Sequence, residues 1–418
     1  MNREGSKSAV TLFDWHTQGH HPTYLSAYAE SFLQLGKLVN IGTTENDWLE
    51  AALSDKGYRA GQDFVVTKIN NFPWLTRKKS VRAKLKNLNR KRIFINSLRV
   101  SIREGQKKLG VDCKQIHIAC IYENEASLLD RAIKSIKYPA SALYLQGHTF
   151  HQTSSAKPNQ MLTLLQNEYL KSVLTLDELI GPKIKAVTSA HVIQSPDFTN
   201  IDLAPDTLIE SQIEEKLGQR PRIALMGYLI KSKGLLELCQ LVVSGELSQH
   251  GIIIAGEVKW KEFTTEEAKM IREACFSQPN VWAKLERLET EGAYNALLKN
   301  THVVLAAYQD FPHSSNTLCK AAHLKKPIVV NDIGVMAQRV RDYKIGEITH
   351  SHSKGALLAS INRITKDLQA WEKLNKPKWD SYVRAHSRER LNDTLASVVE
   401  LIETGNGNQL NQSEDRTT

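Results

Sequence analysis

Cysteine is scarce and poorly placed for chemistry. Five residues (Cys113, Cys120, Cys239, Cys275 and Cys319) are scattered through 418, with no CxxC pair. That spacing supports neither a disulfide framework nor a structural zinc site, and all five are expected as small buried hydrophobes. Long apolar runs are missing as well; none approaches the roughly 20 residues that a helix needs to span a bilayer. The opening MNREGSKSAVTLFDW has no apolar core followed by a small-residue cleavage site, so no signal peptide is expected and the cytoplasm is the expected compartment. Acid is nearly absent from one stretch. Residues 77–108 hold thirteen Lys and Arg against Glu104 alone, so the net charge of +10 is the excess of this segment and the rest is slightly acidic.

What is present reads as a two-domain α/β protein. The length exceeds one ordinary core, and 41% hydrophobic with 24% charged residues is a globular balance. Short apolar runs of strand length alternate with stretches of helical periodicity. Strands are expected at 9–13, 37–41, 115–122, 142–146 and 172–176, and again at 222–226, 251–255, 281–285, 303–307 and 327–330. Between the two series, residues 195–221 are polar and carry Pro196, Pro205 and Pro221. The expected division is residues 1–200, a linker at 201–220, a second domain at 221–375, a helical stretch at 376–404 packing back, and a disordered tail at 405–418. Two Rossmann-like domains facing across a cleft would place ligands at the carboxyl ends of their strands.

Four loops carry candidate chemistry. Gly227–Gly234 (GYLIKSKG) joins a strand to a helix. Its glycines let backbone amides approach a phosphate, and Lys231 and Lys233 can neutralise a pyrophosphate, although an ordinary β–α turn with surface lysines reads the same way. In 308–326, Ser314, Ser315, Asn316 and Thr317 stand where a helix begins, an anion site or plain capping, and Asp310 offers a carboxylate to sugar-like hydroxyls. Gly19-His20-His21-Pro22 follows the first strand. With Asp14 and His16 it admits a metal reading, but it lacks the helical spacing of known sites. Gly147-His148 closes another strand, where a histidine can position reacting groups or serve only the fold.

Together these stretches resemble the retaining nucleotide-sugar glycosyltransferases of the family 4 type. Gly19 and His20 look like the acceptor-side glycine loop, and His148 like the first-domain histidine. GYLIKSKG is similar to the G-R-x-x-x-x-K-G signature, with Lys233 on its phosphate-binding lysine; Gly256 and Glu257 match the strand-then-glycine segment, and 310–327 the E…EA…G-x-P region. The resemblance implies a GT-B fold, a hexosyl or related transferase acting with retention, and a nucleotide-diphosphate sugar as co-substrate without a bound metal. It implies catalytic roles for His148, Asp310 and Lys233, and donor contacts from Gly227, Lys231, Gly256, Glu257, Ser314, Ser315, Asn316, Thr317 and Lys320. Three positions depart from the pattern: Tyr228 replaces an arginine, Asp310 the first glutamate and Lys320 the second. Tyr228 and Lys320 motivate the alternative of an inactive, GT-B-shaped scaffold.

The basic segment, read as one surface helix or two with a turn near Asn96–Ser97, suits an anionic membrane surface. A glycan or lipid-linked acceptor and a peripheral position on the inner face of the membrane are therefore expected. Nucleic acid is disfavoured, because the segment has one aromatic residue, Phe94, and no nucleic-acid motif.

Overall fold

The structure, a computed structural model, describes residues 8–16, 19, 21–44, 47–70, 81–151, 160–199, 204–288, 290–350 and 353–404, with backbone alone over 81–88. The chain forms two compact units, Met1–Pro196 with Arg388–Thr418, and Asp197–Ser387. The first unit runs β1 (Ala9–Asp14), α1 (His21–Gln34), β2 (Leu38–Thr43), α2 (Asp47–Ser54), β3 (Phe64–Lys68), α3 (Val81–Leu109), β4 (Cys113–Ile121), α4 (Ala126–Ile136), β5 (Ala140–Tyr144), α5 (His148–His151), α6 (Gln160–Leu165), β6 (Leu170–Thr175), α7 (Gly181–Lys185) and β7 (His191–Gln194). The second runs α8 (Thr207–Leu217), β8 (Arg222–Met226), α9 (Leu235–Val243), β9 (Gly251–Ala255), α10 (Thr265–Phe276), β10 (Val281–Lys284), α11 (Glu291–Lys299), β11 (Val303–Ala306), α12 (Asn316–His323), β12 (Ile328–Asn331), α13 (Gly334–Tyr343), β13 (Gly346–Thr349), α14 (Lys354–Thr365), α15 (Leu368–Asn375) and α16 (Trp379–Ala385). α17 (Arg388–Thr404) returns to the first unit and packs on α1, where Arg388 bonds Glu30 at 2.8 Å.

Each unit holds one sheet, ordered β3-β2-β1-β4-β5-β6-β7 and β10-β9-β8-β11-β12-β13. Among the described residues every strand pair is parallel. Parallel sheets need helices on both faces, and the central strands show it. β8 sends Ile223 and Leu225 into one core and Ala224 and Met226 into the other, all buried. Strands β3, β7 and β13 appear where the sequence suggested none.

Three expectations meet a different arrangement. The basic segment is one continuous helix, α3, with no turn at Asn96–Ser97. An asparagine and a serine cost a helix only about 0.5 kcal/mol each. Burial of Phe94, Leu98 and Ile102 at four-residue spacing outweighs that, with Phe94 edge-on to Trp15 at 4.9 Å. Within 201–220, Asp206 caps α8 by accepting from the Leu208 and Ile209 amides, and Ile209, Ile213 and Leu217 are buried in the second unit. The stretch 376–404 divides between the units, α16 in the second and α17 in the first. The tail at 405–418 lies outside the described residues. Among the described residues no helix is long and apolar enough to cross a membrane.

Candidate functional site

In an open parallel sheet, ligands collect where the strand order reverses direction, outside the carboxyl ends. In the second unit that point lies between β8 and β11. The turn after β8 and the segment after β11 meet there. The Gln309 amide donates to Ser232 O at 2.6 Å, and Gln309 Nε2 donates to Glu237 Oε1 at 2.6 Å. Lys231–Lys233 form a single 3-10 turn, which brings the Lys233 ammonium 4.7 Å over the Tyr308 ring. It also lies 3.6 Å from where a Cβ on Gly227 would stand. Lys233 is half-buried, and no carboxylate among the described residues pairs with it.

The floor of the turn is bare backbone for a steric reason. Gly227 and Gly256 adopt φ of 104° and 133°, and a Cβ on Gly256 would fall 1.8 Å from Gly227 O. The ends of β8 and β9 thus touch without side chains between them. Glu257 beside them is exposed, its carbonyl accepting from the Leu229 amide at 2.8 Å. Lys231 does not join Lys233. Its ammonium lies 2.6 Å from Glu267 in the capping box of α10, and its amide donates to Glu262. Such an exposed pair is worth about 0–1 kcal/mol and orders the outer wall of the turn.

In the second segment several side chains hold the fold. The Ser314 hydroxyl and Arg339 both bond Asp197, a carboxylate 3% exposed. Asn316 accepts from Thr199 Oγ1 at 2.9 Å and donates to Phe198 O at 3.3 Å. These side chains hold residues 197–199. The Thr317 hydroxyl is shared by Tyr294 and Tyr308 at 3.3 and 3.4 Å. Ser315 is the N-cap of α12 and makes no side-chain cap bond, so the amides of the first turn are what this segment offers an anion. Asp310 is exposed, with φ of 49°. Lys320, expected on a donor, meets a carboxylate of the chain itself. It is buried, and its ammonium lies 2.5 Å from Glu291 Oε2 and 5.3 Å above the Tyr294 ring.

The first unit reverses between β1 and β4. Gly19 is exposed with φ of 68°, and His20 lies outside the described residues. His21 is buried at the start of α1, its Nδ1 2.8 Å from Asp14 Oδ2 and its Nε2 2.8 Å from the Tyr122 hydroxyl. His16 lies 2.8 Å from Glu125. Burial alone would lower the His16 pKa, but the hydrogen bond and charge of Glu125, aided by Asp14, raise it overall. His148 opens α5 at the end of β5, exposed, with Nε2 3.1 Å from Gln146 Oε1. Burial of its ring lowers the His148 pKa against the pull of Glu123, so it is neutral at pH 7. Sequence reasoning missed Tyr122 and Glu125; the available signal was their place immediately after a buried strand ending.

Two Rossmann-like units of this build make the GT-B fold expected from the sequence. No protein-family model matches the chain, and no curated protein is similar to it in sequence. Solved structures are similar in fold. A glycosyltransferase from Rickettsia africae matches with TM-score 0.68 at 14% identity, over 96% of this chain and 100% of that one. HepE of Anabaena, solved with UDP and glucose, matches with TM-score 0.66 at 13% identity, over 94% and 99%. A UDP-GlcNAc 2-epimerase from Neisseria meningitidis, bound to UDP-GlcNAc, matches with TM-score 0.54 at 13% identity, over 96% and 100%. At these identities the likeness is one of fold.

Proposed function

We propose that this protein is a glycosyltransferase, moving a hexosyl or related sugar from a nucleotide-diphosphate sugar to a membrane-linked or polysaccharide acceptor. The observation that carries this reading is Lys233, a half-buried cation without a carboxylate partner among the described residues, set over bare glycine backbone at the second unit's strand reversal. A diphosphate supplies the missing anion. Lys233 and the first-turn amides of α12 bind its oxygens, and Gly227 and Gly256 let it approach. Asp310 accepts from sugar hydroxyls. Glu291, steadied by Lys320 and 45% exposed, keeps an oxygen for the ribose hydroxyls. HepE and the epimerase, similar in fold, were solved with UDP or a UDP-sugar, which supports this reading.

The first unit carries the acceptor in this reading. The outer face of α3 exposes Arg92, Arg99, Arg103 and Lys107 beside Ile93 and Val100. Each such cation is worth about 1 kcal/mol at an anionic leaflet, which suits a lipid-linked acceptor.

A thermal-shift screen against nucleoside diphosphates and their sugars tests the proposal. A ligand at 100 times its Kd adds about 2.7 kcal/mol, a shift of several degrees. Absence of any shift across UDP-, GDP- and ADP-sugars would favour a scaffold that transfers nothing.

A further inference from the structure

The carboxyl ends of β1 and β4 gather side chains that the donor site does not use. Asp14 ends β1, His21 opens α1 and Cys120 stands one residue before the end of β4, so three elements of the first unit bring a carboxylate, an imidazole and a thiol together. All three residues are buried, and one donor atom from each lies within 4.8 Å of the other two. Asp14 Oδ2 is 2.8 Å from His21 Nδ1. The cluster continues to a second acid. The His16 ring lies 4.6 Å from that of His21, and its Nε2 is 2.8 Å from Glu125 Oε1. Glu125 is 5% exposed, and its Oε2 is buried with no hydrogen-bond partner among the described residues. Neither acid pairs with a lysine or arginine among the described residues. Buried charges are paired or coordinate metals. A cysteine serving only the fold stands on the same strand for comparison: Cys113 Sγ is 3.1 Å from Thr11 Oγ1 and from Gln115 O, a hydroxyl and a carbonyl.

We propose that Asp14, His21 and Cys120 bind one zinc ion, which ties β1, α1 and β4 together at the carboxyl edge of the first unit's sheet. The mixed sulfur, nitrogen and oxygen donors are those zinc takes, and thiolate disfavours magnesium or calcium. Two donors that each lie about 2.0 Å from a tetrahedral ion are about 3.3 Å apart, so the Asp14–His21 contact opens by only about half an ångström. Protons balance simply. Burial, with the charges of Asp14 and Glu125, pushes the Cys120 thiol up, so without metal it keeps its proton. Zinc displaces that proton to water and takes the thiolate. The Nδ1 lone pair of His21 turns to the ion, and the ring proton sits on Nε2, where it donates to the Tyr122 hydroxyl at 2.8 Å. One carboxylate and one thiolate then cancel the two positive charges of the ion, so the buried site is neutral. Zinc is held here whether or not the chain transfers sugar.

The test uses the full, untagged chain, stripped of metal by a chelator and dialysed. Zn²⁺ should bind at one equivalent and raise the melting temperature by several degrees. Co²⁺ in its place should give a thiolate-to-cobalt charge-transfer band. Zinc-edge X-ray absorption of the loaded wild type should show one sulfur at about 2.3 Å among nitrogen and oxygen at about 2.0–2.2 Å. Cys120→Ser should lose the cobalt band and bind zinc at least roughly 100-fold more weakly, beyond what loss of an outer partner costs. A wild type that takes up no equivalent of zinc, a zinc ion without a sulfur neighbour, or a cobalt band that survives in Cys120→Ser overturns the site. If Cys120→Ser fails to fold, uptake and the absorption edge of the wild type decide. Each of these outcomes leaves the transferase reading untouched, since nucleotide-sugar binding is read separately by the thermal-shift screen.

Discussion

Replacing Lys233 by methionine separates its two jobs. The thioether keeps the aliphatic stem on Tyr308 and removes the charge, whereas alanine removes both. The cation over the ring, 4.7 Å from its centroid, is half-buried, so its loss costs the fold about 0.5–1 kcal/mol, or roughly 2–4 °C. The effect on chemistry is larger. A unit charge developing about 4 Å from an ammonium at an effective dielectric near 20 is worth about 4 kcal/mol. Leaving-group departure adds close to one charge to the diphosphate, so loss of that interaction lowers kcat by about 10²–10³. The charge already present in the ground state appears in KM. Steady-state donor turnover and thermal melting of both variants on one preparation measure the two effects. If Lys233→Met kept kcat within about threefold of wild type, or if turnover fell only in step with melting temperature, Lys233 would not face the diphosphate and the proposed site would be wrong.

Other perturbations bear on separate links. Gly256→Ala places a Cβ 1.8 Å from Gly227 O at φ of 133°, so it should destabilise the second unit by about 2 kcal/mol or more and abolish the nucleotide-dependent thermal shift. Burial lowers the His117 pKa to about 3 against 6.5 when free. The unfolded chain then takes up a proton that the folded one refuses, so stability is full above pH 6.5 and declines on acidification; urea unfolding should show about 2 kcal/mol lost between pH 7 and 5, and His117→Leu should lack that slope. Joint reversal of Arg92, Arg103 and Lys107 to glutamate should abolish co-sedimentation with phosphatidylserine vesicles at low salt while leaving melting temperature within a few degrees, since all three are exposed. Lys320→Glu, which installs the residue of the resembled family, should weaken nucleotide binding about tenfold, because two carboxylates would then face each other where Lys320 and Glu291 now pair at 2.5 Å.

The sequence disclosed the centre of each sheet and not its margins. β8 and β9 are wholly buried, and their continuous apolar runs stand out from the surrounding helical pattern. β3, β7 and β13 are edge strands, partly open to solvent on residues such as His191, Gln194 and Glu347, and their mixed polarity reads as loop. α8 was hidden in the same way, since only Ile209, Ile213 and Leu217 of its eleven residues are buried. Within the candidate site, the legible residues were those whose role is backbone freedom or charge at a strand end, such as Gly227, Gly256 and Lys233. The rest depended on partners distant in sequence. No local pattern reveals that Ser314 and Asn316 face residues 197–199, that Lys320 meets Glu291, or that Tyr122 lies against a histidine 101 positions earlier.

Charge at the two strand reversals distinguishes what each can hold. In the second unit Lys233 is left without an acid among the described residues while Lys231 and Lys320 are both neutralised, by Glu267 and Glu291. One uncompensated cation over bare backbone selects an anion. In the first unit the acids Asp14 and Glu125 are each held by a histidine. Lys320 fits the same logic. A lysine in place of a glutamate would leave a second cation at the nucleotide end, but Glu291 on α11 supplies the carboxylate that α12 lacks. A carboxylate is thereby supplied from a neighbouring helix, although the Lys320–Glu291 pair is neutral where the resembled pattern has one negative charge. Two apparent losses from the pattern therefore reduce to one, Tyr228, whose side chain is 48% exposed and pairs with no carboxylate among the described residues. An arginine there would add a second cation near the proposed diphosphate site, so in that reading its absence places the burden of charge on Lys233.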